Sequence, residues 1–279
     1  MIIKMLIDNK GISSSFKTEH GLSMYFEVSG VKILFDTGKS GDFIDNAEKM
    51  DVNIKDIDIV IISHAHIDHS GGLIRFLEIN KKAVVYAHSK VTEDYYIDLI
   101  YKKNISIPLK VFEKYKTRIC FVNNDLLKVS HNIYLVSNFT NIYSLGKFSK
   151  NLLVKRQGNY YKDSFDHELA MVIDNNEKLI IISACSHNGI DNMIETIIKH
   201  FPNKSVQTII GGFHLIEFPL LNFLGEKKSN IIMLGKRLLG YNMDHVYTCH
   251  CTGNRELGIL KECMGNKIEY FATGMQIEI

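Results

Sequence analysis

Apolar residues in this chain come either in short alternating runs or in short unbroken bursts, separated by turn-forming residues. Ile2 to Ile7, Leu22 to Val28 and Lys32 to Phe35 read as three strands, and the short turns between them predict a meander. After Gly38, the residues Phe43, Ile44 and Ala47 fall at helical spacing within Asp42 to Met50. Ile59 to Ile62 is a continuous apolar run, the pattern of a strand buried on both faces. Ala83 to Ala87 gives another short strand. Farther on, Ala170 to Ile173 and Leu179 to Ile182 pair across the polar turn Asp174 to Lys178. Asp191 to His200 then forms a helix with Met193, Ile194, Ile197 and Ile198 turned inward. Gln207 to Ile210, Ile231 to Leu239 and His245 to Thr248 repeat the alternation of strand and helix. A short helix reaches about Met264, and Ile268 to Ile279 closes with a strand pair. From about Val91 to Tyr161 the periodicity is weak and Lys, Asn and Tyr are frequent. That stretch reads as a covering insertion, about 91–161, on a single α/β domain spanning 1–279.

Composition narrows the class. A chain of 279 residues that is 46% hydrophobic can bury a sizeable core and lies at the upper end of one compact domain. Its formal charge of +2, from 33 basic and 31 acidic residues, gives no broad electrostatic footprint for nucleic acid or an anionic membrane. The expected partner is therefore a small molecule, with no nucleic acid and no membrane. Five cysteines, an odd number without regular spacing, do not read as a disulfide framework, so a reducing cytoplasm is the expected location. Met1 to Lys10 lacks the features of a signal peptide, and no apolar run approaches the roughly 20 residues that cross a bilayer. Oligomeric state has no readable marker.

The chemistry concentrates in the histidines, of which there are 12. Directly after the buried run Ile59 to Ile62 comes Ser63-His64-Ala65-His66-Ile67-Asp68-His69-Ser70-Gly71-Gly72-Leu73. Two imidazoles one residue apart project to the same side of extended chain, while Asp68 and His69 swing to a neighbouring position as the loop turns. One segment can thus feed two divalent ions, with zinc expected and iron or manganese as alternatives. His187, His214 and His250 each follow an apolar strand closely and are the further candidate ligands. Asp68 is also the candidate catalytic group, placed to orient water and pass a proton. Asp36 is expected to orient a ligand histidine, with Cys185 and His20 beside the ligands. Cys185, Cys249 and Cys251 read first as small buried hydrophobes, with thiolate ligation as the alternative. Substrate-binding residues remain unassigned. Lys147, Lys150, Lys155 and Arg156, interleaved with Phe148, Tyr160 and Tyr161, read first as a solvated loop and second as a surface for a phosphate and a flat ring. Glu168 is a carboxylate whose role spacing alone does not decide.

The segment His-Ala-His-Ile-Asp-His-Ser-Gly-Gly-Leu resembles the signature of the metallo-β-lactamase superfamily. Further stretches resemble one branch of it, the 7,8-dihydropterin-6-methyl-4-(β-D-ribofuranosyl)aminobenzene-5′-phosphate synthase-like proteins. They are Glu19 to Ser23, Leu34 to Gly38, Asn46-Ala47, Cys185 to Ile190, Gly211 to Leu215 and His250 to Gly253. The resemblance implies an αββα sandwich of two mixed β-sheets flanked by helices, with a dinuclear site. It also implies that a further His completes one metal position, a late His completes the other, and an Asp bridges them. This chain departs at the last point, because Cys185, Ser186 and His187 stand where relatives carry Gly-Asp. The expected function is hydrolysis of a small, possibly phosphorylated ester, lactone or phosphoester by a hydroxide held between two ions. One alternative is a synthase joining a dihydropterin methyl diphosphate to a ribofuranosylaminobenzene phosphate with loss of pyrophosphate. A second is a non-catalytic, metal-dependent ligand-binding or sensor protein.

Overall fold

The computed structural model describes residues 1–215 and 226–279, the side chains of residues 147 and 148 excepted. The strands in chain order begin with β1 Ile2–Ile7, β2 Ser23–Val28, β3 Val31–Phe35, β4 Ile59–Ile62, β5 Val84–His88 and β6 Asp94–Asp98. They continue with β7 Lys102–Asn104, β8 Ile119–Val122, β9 Leu126–Ser130, β10 Ile133–Val136, β11 Leu152–Arg156 and β12 Asn159–Lys162. The last six are β13 Ala170–Asn175, β14 Lys178–Ile182, β15 Ser205–Gly211, β16 His245–Thr248, β17 Ile268–Tyr270 and β18 Gln276–Glu278. The helices are α1 Asp42–Lys49, α2 Ile67–Ser70, α3 Leu73–Ile79, α4 Lys110–Lys114, α5 Ile190–His200, α6 Lys228–Gly240 and α7 Asn254–Met264.

The chain divides into two compact units that interleave along the sequence. The first comprises Met1–Asn123, Val154–Tyr161 and Phe271–Ile279; the second comprises Asn124–Leu153 and Lys162–Tyr270. In the first unit a seven-stranded mixed sheet has the order β18-β1-β2-β3-β4-β5-β8. Its β1, β2 and β3 form the expected antiparallel meander, and β3, β4, β5 and β8 are parallel. Phe43 and Ala47 of α1 and Leu73, Phe76 and Leu77 of α3 pack with Leu34, Val60, Ile62 and Val85. The helical spacing read from Asp42 to Met50 is thus the stripe that meets this sheet.

The second unit repeats the plan with different sequence. Its seven-stranded sheet has the order β17-β16-β15-β14-β13-β10-β9, parallel from β17 to β14 and antiparallel from β14 to β9. Met193, Ile194 and Ile197 of α5, Leu234 and Leu238 of α6, and Leu257 and Leu260 of α7 form its core with Ile181, Ile209 and Val246. A further four-stranded sheet has the order β12-β11-β6-β7. The two mixed sheets flanked by helices agree with the expected α/β class. The closing strand pair does not form as expected. β17 joins β16 in the second sheet and β18 joins β1 in the first, because Phe271 to Met275 carries the chain from one sheet to the other. The weakly periodic stretch 91–161 supplies β6 to β11 and part of β12, with β8 and β9 each completing a sheet edge. Among the described residues no helix is long and apolar enough to cross a membrane.

In each unit the candidate ligands follow the carboxyl ends of parallel strands. This is where open α/β sheets present their loops.

Candidate functional site

In the first unit Asp36 directly follows β3 and the histidine motif follows β4, so two adjacent parallel strands deliver them together. Asp36 is fully buried and adopts φ +60°, a left-handed conformation rare outside glycine. Its carboxylate is the hub. The Ser63 N–H donates to Oδ1 at 2.8 Å, the Ser63 hydroxyl donates to Oδ2 at 2.7 Å, and His69 Nδ1 lies 2.7 Å from Oδ2. A carboxylate accepts only, so His69 Nδ1 carries the proton and Nε2 is its basic nitrogen. Ser63 has already given its single hydroxyl proton to Asp36, so it accepts from His64 Nδ1 at 2.8 Å. His64 is thereby fixed in the same tautomer as His69. Two buried imidazoles, with ring centroids 4.2 Å apart, are both held with Nε2 as the lone-pair nitrogen. Outer hydrogen bonds set ligating histidines in this way, and the arrangement fits a metal.

His66 joins them, its ring centroid 4.6 Å from that of His64. The backbone beside it is clamped from the weakly periodic stretch: the Ile67 N–H donates to Ile105 O at 2.8 Å and the Ile107 N–H to Ala65 O at 3.1 Å. Asp68 Oδ2 lies 3.7 Å from His69 Nε2 and 3.4 Å from Nε2 of the half-exposed His20. Gly71 and Gly72 let this loop lie against its neighbour. A Cβ at Gly72 would stand 2.1 Å from Ser40 O and 2.3 Å from Thr37 O, and one at Gly71 would stand 2.0 Å from Lys39 O. Only a residue without Cβ permits that approach.

In the second unit the loops after β14, β15 and β16 carry Cys185 and His187, His214, and His250 and Cys251. Ser186, His214 and His250 all have positive φ (55°, 47° and 48°), a left-handed conformation rare outside glycine. Ser186 donates to Gly212 O at 2.8 Å, and the Phe213 N–H donates to the Thr252 hydroxyl at 3.0 Å, tying the three loops together. The ring of His187 stacks on Phe165 at 4.8 Å and stands 4.2 Å from that of His214. Glu168 receives the N–H groups of His187 (2.8 Å) and Asn188 (2.9 Å) and so holds the His187 loop. Burial pushes its carboxyl above the ordinary range, against the pull of those bonds. Burial also raises the Cys251 thiol, but hydrogen bonding with Cys185 and His214 and the charge of His250 and His214 outweigh it, and the thiol sits well below its usual range. Cys185, His214 and Cys251 place their ligand atoms within 4.8 Å of one another.

A cleft of about 490 Å³ in the second unit is lined by His187, His214, Tyr143, Lys150, Asn230 and Arg237 among others. Arg237 is held there by Asp191 at 2.7 Å and lies 4.5 Å from the centre of the Tyr143 ring. Of the basic cluster read in the sequence, Lys150 lines this cleft. Arg156 is engaged by Glu93 at 2.7 Å, and the Lys155 ammonium lies 5.4 Å from the centre of the Tyr160 ring. The side chains of Lys147 and Phe148 lie outside the described residues.

Comparison with known proteins accords with this geometry. The family model of the metallo-beta-lactamase superfamily matches residues 18–106, which hold β2, β3, Asp36 and the histidine motif. Those residues resemble the metallo-β-lactamase superfamily, an enzyme-type superfamily, and the chain has its fold. The chain is similar to the 7,8-dihydropterin-6-methyl-4-(β-D-ribofuranosyl)-aminobenzene-5′-phosphate synthase of Methanocaldococcus jannaschii. The two are 29% identical over 284 residues, covering 97% of this chain and 94% of that protein. The solved structure of Tm1679, a metal-dependent hydrolase of the beta-lactamase superfamily, superposes with a TM-score of 0.83 at 27% identity, covering 100% of this chain and 99% of that one. Zn(2+)-bound PqqB from Methylobacterium extorquens shares the fold alone, with a TM-score of 0.61 at 8% identity and full coverage of both chains.

Proposed function

We propose that this chain is a metal-dependent hydrolase of a small ester, lactone or phosphoester, with His64, His66, Asp68, His69, His187 and His250 as metal ligands and zinc as the metal. The observation that carries the reading is the Asp36–Ser63 relay, which fixes His64 and His69 in one tautomer with Nε2 as the basic nitrogen. Bound divalent ions would supply Lewis-acid charge and lower the pKa of water. The chain's own residues do the rest. Asp68, flanked by His20 and His69, is placed to orient the attacking water and to hand a proton to the leaving group. The cleft beside His187 and His214 gives a small substrate room, and Lys150 and Asn230 on its wall suit a phosphorylated one.

A second reading is favoured by one specific observation, the similarity over 97% of the chain to a named synthase. In that reading the same residues would hold metal able to offset the charge of a pyrophosphate leaving group, and the cleft would take the pterin or the ribofuranosylaminobenzene partner. Metal analysis of protein purified without added metal, with assays on aryl phosphodiesters, phosphomonoesters and lactones, tests the first reading. Pyrophosphate release from the paired synthase substrates tests the second. His66→Ala and Asp68→Ala are expected to lower turnover by at least about 100-fold while the protein stays folded. Full turnover in the metal-free double variant would overturn both readings.

A further inference from the structure

The second unit contains three donors that the ligand set proposed above leaves out. Cys185, His214 and Cys251 come from three successive strand-end loops, after β14, β15 and β16, and their ligand atoms lie within 4.8 Å of one another. Both cysteines are buried, 3% exposed each. We propose that these three residues form a thiolate-rich metal site for one divalent ion of the zinc class, held by two sulfurs and one imidazole. The inference rests on the same metal-dependent reading of these loops and assigns Cys185 and Cys251 as ligands.

Three independent features point to a ligand rather than to packed thiols. First, the surroundings of the Cys251 sulfur are polar. The His214 N–H donates to it at 3.2 Å, and the Cys251 S–H in turn donates to Cys185 O at 3.6 Å, the proton that a bound ion would displace. Backbone N–H donation of this kind suits a sulfur that carries charge when it ligates, and a small buried hydrophobe has no use for it. Second, the loops are shaped around the sulfur. A Cβ at Gly212 would stand 2.6 Å from Cys251 Sγ and 2.9 Å from Ala184 O, so the β15 loop passes the sulfur only because residue 212 has no side chain. Third, two of these loops hold left-handed backbone, at Ser186 (φ 55°) and at His214 itself (φ 47°). Two sulfurs with one imidazole select zinc-class ions over magnesium or calcium, and three protein donors leave a position for an exogenous ligand. His214 also lines the cleft of about 490 Å³, so that open position adjoins space for a small molecule.

The test is cobalt substitution of the full-length protein, purified and stripped of metal under reducing conditions. Thiolate ligation of cobalt(II) gives an intense near-ultraviolet charge-transfer band that nitrogen and oxygen ligands do not produce. The wild-type protein is expected to show the band. Cys185→Ser and Cys251→Ser should each lose about half of its intensity, and the double variant should lose all of it. Cys263→Ser should keep it, since that residue sits on α7 with its sulfur 3.9 Å from Ile232 O. X-ray absorption of the zinc-loaded wild type needs no variant. A scattering shell at about 2.3 Å supports sulfur ligation, whereas shells confined to about 2.0–2.2 Å overturn it. Cobalt bound without the band, or a band untouched in a folded double variant, would sink this site and leave the hydrolase reading standing. A band without turnover on any panel substrate would do the reverse, and a protein that retains no cobalt would overturn both.

Discussion

Asp36 shows how one side chain can organise a site through its neighbours. Its carboxylate organises Ser63, His64 and His69, and it is buried and held at positive φ. Asp36→Asn keeps the size and one oxygen but loses the charge and replaces an acceptor with a donor. We expect it to weaken metal binding about 10- to 100-fold with the fold retained, measured by competition with a chromophoric chelator. An unchanged affinity would mean that His64 and His69 are oriented by other means. The histidine motif and Asp36 were legible in the sequence because their types and spacing are themselves the chemistry. Ser63 was not, since its role depends on one hydroxyl proton that only three-dimensional placement assigns. Glu168 was visible as a carboxylate near a strand, yet its grip on the N–H groups of His187 and Asn188 depends on contacts 19 and 20 residues away.

Among the elements, the strands and helices that the hydrophobic pattern announced are those whose apolar faces meet a core. β1, β4 and β16 match the read boundaries residue for residue. The stretch 91–161 resisted reading for the converse reason. β6 and β7 hold mostly half-buried or exposed residues and carry no clean alternation. The glycine pair in the histidine loop offers a contrast with a helical glycine. Gly72→Ala forces a Cβ against two carbonyl oxygens at 2.1 and 2.3 Å, and we expect a loss of more than about 2 kcal/mol together with weakened metal retention. Gly258 lies exposed inside α7 with open space about it, and Gly258→Ala should stabilise by about 0.5–1 kcal/mol. Thermal unfolding of the two variants should therefore move in opposite directions.

For the molecule as a whole, the proposed ligands come from separated segments, so metal binding would contribute to folding. Metal at about a thousandfold excess over its dissociation constant would add about 4 kcal/mol. Chelation should lower the melting temperature and added zinc should restore it, whereas His66→Ala should respond much less to either. A melting temperature indifferent to chelator and zinc would argue against tightly held ions. The threading of the chain has a consequence of another kind. β18 covers the outer edge of β1, and the Asp8 N–H is satisfied by the Thr273 hydroxyl, 265 residues later. At about 5–20 residues per second, translation separates these partners by roughly 13 to 53 s. Throughout that interval a nascent chain presents the largely apolar strand Ile2–Ile7 with one row of backbone groups uncovered, a template for pairing with other chains. Recovery of soluble protein should consequently depend on how fast ribosomes deliver the segment Phe271–Ile279 and on what shields β1 until they do.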